Sequence, residues 1–122
     1  MGNILVVDDS AVVRRMLGLI LERSGHDVRF AVDGREGLEA VRARRPDLVL
    51  SDLEMPVMDG IAFVRSLRED AGTSGIPVVM LTASADDEHH RTVAGLGVQG
   101  FATKPVRSTD VLELVDSLIG VA

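Results

Sequence analysis

Residues 49–60 read "VLSDLEMPVMDG": an apolar run stops at a carboxylate, Asp52, and turn-forming residues follow at once. A strand ending this way holds an acid at the edge of a sheet, and the turn behind it leaves room for a ligand. Four further apolar runs recur along the chain, at 4–7, 27–32, 76–81 and 98–102, beside the one at 47–50. Those at 4–7, 47–50 and 76–81 are rich in Val, Ile and Leu without polar alternation, which suits strands covered on both faces. The run at 27–32 alternates polar and apolar residues, as a strand near an edge does.

Helical patterns separate the runs. Ser10 is an N-cap for a helix with Val13, Met16, Leu17, Ile20 and Leu21 on one stripe, ending near Gly25. Asp33 and Glu36 have capping-box spacing ahead of Leu38 and Val41, and Arg44, Arg45 and Pro46 close that helix. Ile61, Val64 and Leu67 mark a third helix, and Val111, Leu112, Val115, Leu118 and Ile119 a fifth. The fourth, over 85–97, carries only a thin stripe of Val93, Ala94 and Leu96. Five alternations of strand and helix predict an α/β fold, a doubly wound (βα)5 unit with a five-stranded parallel sheet and right-handed crossovers. Residues 1–122 are expected to form one domain.

Composition narrows the function. The formal net charge of -6 and pI of about 4.9 oppose a phosphate-backbone footprint, so no direct nucleic-acid contact is expected. Trp and Tyr are absent and Phe numbers three, which removes stacking platforms. The absence of Cys excludes disulfides, thiolate chemistry and zinc-cysteine sites. Apolar runs of a few residues do not span a membrane, and "MGNILVV" lacks a basic leader with a long apolar region, so the expected compartment is the cytoplasm.

In open α/β sheets, ligands bind beyond the carboxyl ends of the strands. Asp8 and Asp9 follow the first run, Asp52 the third, Thr82 and Ala83 the fourth, and Lys104 and Pro105 the fifth. Two unit charges ~4 Å apart repel by roughly 4 kcal/mol at an effective dielectric near 20, so three converging carboxylates require compensation. A hard divalent cation such as Mg²⁺ prefers such oxygen donors. Lys104 then faces an incoming anion, Thr82 offers a hydroxyl and the adjacent backbone an N–H, a set suited to phosphoryl chemistry. Asp52, alone at the end of the run expected to be central, is the best nucleophile for forming an aspartyl phosphate.

Four pieces, "ILVVDDS", "SDLEMPVMDG", "VVMLTA" and "GFATKP", stand in order, one per unit. With them the chain resembles the receiver domain of two-component response regulators over nearly its whole length. The resemblance implies a flavodoxin-like sheet of order 2-1-3-4-5. It implies that Asp52 accepts a phosphoryl group from a sensor histidine kinase or histidine phosphotransfer protein. Asp9 would bind Mg²⁺ directly, Asp8 through a metal-bound water, and Glu54 through its backbone carbonyl. Lys104 would pair with the phosphoryl group. Thr82 would shift toward it and let Phe101 turn inward, changing a partner-binding face built from the fourth helix, the fifth strand and the fifth helix. The Lys104–Pro105 peptide would be cis, an isomer of modest cost before Pro. Activity would be limited to the domain's own phosphorylation and dephosphorylation. Departures are a Phe at 101, which has no hydroxyl to bond, and Val98 where a small Ala is frequent.

Singly, these residues read more plainly. Asp8 and Asp9 could cap a helix beside Ser10, Asp52 could start a turn, and Lys104 could be a surface lysine. Asp59 and Gly60 read as turn formers, and His89 and His90 as solvated helix positions. A small Mg²⁺-dependent phosphohydrolase and an interaction module that never gains phosphate are the competing classes. A flavin site lacks a phosphate loop after the first run.

Overall fold

Alternate residues of the first strand, β1 (Asn3–Val7), enter two different cores. Leu5 and Val7 face one side of the sheet, Ile4 and Val6 the other, the period of two that an extended chain imposes. The same division holds in β3 (Leu48–Asp52) and β4 (Val78–Thr82), where every residue is buried. The computed structural model describes residues 2–83, 91–92 and 94–119. Its five strands, completed by β2 (Asp27–Ala31) and β5 (Gly100–Thr103), form one parallel sheet in the order β2-β1-β3-β4-β5. The two mixed-burial strands are thus the edges, β2 as the alternation at 27–32 predicted.

Helices α1 (Ala11–Arg23) and α4 (Ser108–Ile119) cover one face with Leu17, Leu21, Val111 and Val115. Helices α2 (Gly34–Ala43) and α3 (Gly60–Glu69) cover the other with Val41, Phe63, Val64 and Leu67. Here α4 is the helix expected as the fifth. The expected fourth helix lies mostly outside the described residues, as do His89 and His90. Arg91, Thr92 and Ala94 are helical.

The predicted caps form. Ser10 Oγ accepts from the Val13 N–H at 3.3 Å, and Asp33 accepts from Glu36 at 2.8 Å while Glu36 reaches back to the Val32 N–H at 3.2 Å. Asp59, read from sequence as a turn former, caps α3 by accepting from the Ala62 N–H at 2.9 Å, and Gly60 is the first helical residue. In α3 the buried stripe includes Phe63, which the sequence reading omitted, while Ile61 is only partly buried. Phe63 lies against Gly37, where an added Cβ would stand 3.0 Å from its ring, so α2 and α3 approach closely at that glycine.

Strand boundaries differ from the apolar runs at the ends. The fourth strand starts at Val78 rather than Ile76, and the fifth at Gly100 rather than Val98. Ile76 is wholly buried and Val98 partly so; burial, not ladder pairing, explains their apolar character. The Gln99 side chain accepts from the Val78 N–H at 2.8 Å, a bond the ladder would otherwise supply.

Arg68 ties the loops before these two strands together. Its guanidinium donates to the carbonyls of Ser74 (3.0 Å), Ile76 (2.9 Å), Leu96 (2.8 Å) and Gly97 (3.1 Å). A planar fork can serve four acceptors on two segments, whereas an ammonium cannot span them. Arg68→Met should therefore cost about 2–3 kcal/mol, read as a fall in Tm on the order of 10 °C. Arg68→Lys should recover little of it, while Arg42→Met on the exposed side of α2 leaves Tm unchanged.

Candidate functional site

Because β1, β3 and β4 are parallel neighbours, their carboxyl ends meet at one edge. Asp8 and Asp9 follow β1, Asp52 ends β3, Thr82 ends β4 with Ala83 just beyond, and Lys104 follows β5. One carboxylate oxygen from each of Asp8, Asp9 and Asp52 lies within 4.8 Å of the others. Asp8 is wholly buried, Asp52 nearly so and Asp9 exposed. The Lys104 ammonium stands 2.9 Å from Asp8 Oδ2 and 3.2 Å from Asp52 Oδ1.

Backbone contacts hold these groups in place. Asp8 Oδ1 accepts from the Ser10 N–H at 2.9 Å, so the residue that starts α1 also orients an acid. The Lys104 N–H donates to the Thr82 carbonyl at 2.7 Å, and the Leu53 N–H to the Leu81 carbonyl at 3.1 Å, binding the ends of β3, β4 and β5 to one another. The Lys104–Pro105 peptide is cis. Gly60 packs on the end of β3, with its N–H donating to the Leu53 carbonyl at 2.9 Å; a Cβ there would collide with the Asp52 carbonyl. Thr82 is buried, Glu54 and Ala83 are exposed, and Phe101 is half-buried against the α2 and α3 side of the core. Arg14, one turn into α1, donates to the Asp8 carbonyl at 2.6 Å. The sequence reading did not single it out, because an arginine among helix arginines carries no local signal of what it will reach.

Burial and the neighbouring Asp8 charge push the Asp52 carboxyl up to about 6, and the pull of Lys104 and a backbone hydrogen bond from Glu54 only partly offset them. Burial lowers the Lys104 amine, yet Asp8 and Asp52 more than reverse this and hold it above its ordinary value. Among the described residues, three carboxylates face one ammonium, which leaves two negative charges uncompensated when all are ionised. Apart from the ammonium, no described donor reaches the buried Asp8 Oδ2. An all-oxygen donor set with two charges to spare fits a hard divalent metal ion.

The model of the response regulator receiver domain matches residues 4–116. The chain belongs to that family. Protein PilH of Pseudomonas aeruginosa is 34% identical over 98% of this receiver chain and 98% of its own length. The DNA-binding response regulator MtrA of Mycobacterium tuberculosis is 44% identical over 93% of the receiver, which spans only 48% of that relative. Among solved structures, the chemotaxis response regulator CheY4 of Vibrio cholerae superposes with a TM-score of 0.92 at 33% identity, covering 98% of this receiver and 99% of that chain. No described helix of the receiver is long and apolar enough to cross a membrane.

The raised Asp52 value has a consequence for the metal-free receiver. The native state holds this proton more tightly than the unfolded state, whose carboxyl titrates near 3.8, so Asp52 costs stability above pH 6 and the cost fades as pH falls from 6 toward 4. Asp52→Asn should stabilise the chelator-treated protein at pH 7.5 by on the order of 2 kcal/mol and leave it unchanged at pH 4. Urea unfolding at the two pH values measures both.

Proposed function

We propose that residues 1–122 act as a phosphoacceptor domain in which Asp52 takes a phosphoryl group from a histidine side chain of a sensor kinase or phosphotransfer protein. The observation that carries this reading is the Lys104 ammonium bridging Asp8 at 2.9 Å and Asp52 at 3.2 Å beside Asp9. A half-buried ammonium among carboxylates at a sheet edge is what an incoming phosphoryl group requires.

In the step, an Asp52 carboxylate oxygen forms a bond to phosphorus as the phosphorus–nitrogen bond of phosphohistidine breaks. The leaving imidazole nitrogen keeps the electron pair and takes its proton from water. Asp8, Asp9 and Asp52 with the Glu54 carbonyl would hold Mg²⁺. When bound, the ion supplies charge withdrawal from the phosphoryl oxygens. Lys104 leaves its partner carboxylates to pair with the arriving oxygens. The Thr82 hydroxyl and the Ala83 N–H complete the cradle, since both stand at the end of β4 next to β3.

Output follows from occupancy of that cradle. Thr82 moving toward the phosphoryl group frees space for Phe101, whose half-buried position admits an inward state. The surface of the expected fourth helix, β5 and α4 then presents a different face to a downstream protein. Turnover is confined to the domain's own phosphorylation and dephosphorylation, in the cytoplasm. The net charge of -6 makes protein contact, not direct contact with nucleic acid, the output of these residues.

Incubation with acetyl phosphate and Mg²⁺ should add one phosphoryl group per chain by intact mass. Omission of Mg²⁺ or the Asp52→Asn substitution should abolish the addition, and Lys104→Ala should slow it by about 10²–10³-fold. Full labelling of Asp52→Asn would assign the chemistry to another residue.

A further inference from the structure

Of the three acids in the cluster, Asp9 is held differently from the other two. Lys104 pairs with both Asp8 and Asp52, and the Ser10 N–H binds Asp8 Oδ1 as well. The Asp9 side chain is exposed, and among the described residues no donor reaches its carboxylate. Its place within 4.8 Å of the other two acids therefore rests on the backbone that carries it.

That backbone is fastened before and after the residue. The Asp8 N–H donates to the Ala31 carbonyl at 3.1 Å where β2 ends, and the Ser10 carbonyl accepts from the Arg14 N–H at 3.0 Å as α1 begins. The peptide between Asp8 and Asp9 is held by a side chain: the Asp8 carbonyl accepts from Arg14 Nη1 at 2.6 Å. A peptide unit is planar, so fixing the direction of that carbonyl also fixes the Asp9 nitrogen and Cα. Arg14 is the fourth residue of α1 and half-buried. Helix side chains lean toward the amino end, so a long one at this position covers the loop that precedes the helix.

Charge gives no reason for a cation here, because a guanidinium beside a divalent metal site repels the ion. What the side chain supplies is direction. We infer that Arg14 is a positioning residue for the metal centre: by holding the Asp8 carbonyl it sets the Asp8–Asp9 peptide, and through it the Asp9 carboxylate as a Mg²⁺ ligand. This role rests on the reading of the acid cluster as a Mg²⁺ site and places the control of that site in a residue outside the cluster.

Removal of Arg14 has two effects of opposite sign on metal binding. Loss of a positive charge tightens it, whereas loss of the orienting bond weakens it. Calorimetric titration of the unphosphorylated chain with Mg²⁺ reads which prevails. Arg14→Met should weaken Mg²⁺ binding about tenfold. Arg15→Met, which removes the same charge from the exposed neighbouring position, should not weaken it. Asp9→Asn should weaken binding by itself, and Arg14→Met added to it should change the affinity less than about twofold, since the bond acts through that carboxylate. Arg14→Lys keeps the charge without the guanidinium fork and should weaken binding about threefold or more; it carries the test if urea unfolding shows that Arg14→Met does not fold. Unchanged or tighter Mg²⁺ binding in a folded Arg14 variant overturns the inference, even with a lowered Tm, and leaves Arg14 as a tie between α1 and β1. So does equal weakening in Arg15→Met, or the full loss repeated in the Asp9→Asn background. A wild-type chain that takes up no Mg²⁺ would instead overturn the underlying reading of the metal site.

Discussion

A single ammonium group set among three carboxylates governs this structure. Lys104, just past β5, reaches Asp52 two strands away in the sheet and Asp8 three strands away, so the contact exists only when β1, β3, β4 and β5 are all in register. Its strength comes from exclusion of water: Asp8 is wholly buried, and charges removed from solvent interact through a low effective dielectric. The same exclusion makes the site costly. Burial and the Asp8 charge raise the Asp52 carboxyl to about 6, so the metal-free domain carries a group that would sooner be protonated.

That cost is spread over a scaffold with little freedom to relax. Strands buried on both faces cannot tilt without opening one of two cores, and the backbone bonds from Leu53 to Leu81 and from Lys104 to Thr82 join their ends. Gly60 lets the start of α3 press on the Asp52 carbonyl, and Arg68 joins the loops before β4 and β5 from the far side. The acids and Thr82 sit at the ends of strands buried on both faces and tied to one another by backbone bonds. A rigid acceptor suits a transfer in which the donor, not the acceptor, must be brought into line.

The relatives share this scaffold while differing beyond it. PilH matches over nearly its whole length, whereas the receiver spans about half of MtrA. The same folded unit thus serves proteins of different length.

Much of the architecture was legible in sequence. Short continuous apolar runs mark strands covered on both faces, apolar stripes at helical spacing mark helices, and Ser10 and Asp33 cap helices through bonds to residues three positions ahead. Those are local constraints, and local pattern reveals them. The candidate acids, Thr82 and Lys104 were legible because each follows an apolar run, and parallel strands end on the same edge. Burial blurred what remained. Ile76 and Val98 read as strand because they are apolar, yet they pack as loop residues, and Phe63 rather than Ile61 enters the core because Gly37 on another helix makes room. Asp59 read as a turn former because the preference for Asp does not separate a turn from a helix cap. The reach of Arg14 to Asp8, the four bonds of Arg68 and the left-handed Val57 left no trace in the pattern. By itself the sequence determined the elements, their order along the chain and the identity of the acids. Only the tertiary structure decided which charges face one another, how deeply they are buried and where the backbone is strained, since those depend on distances between segments far apart in the chain.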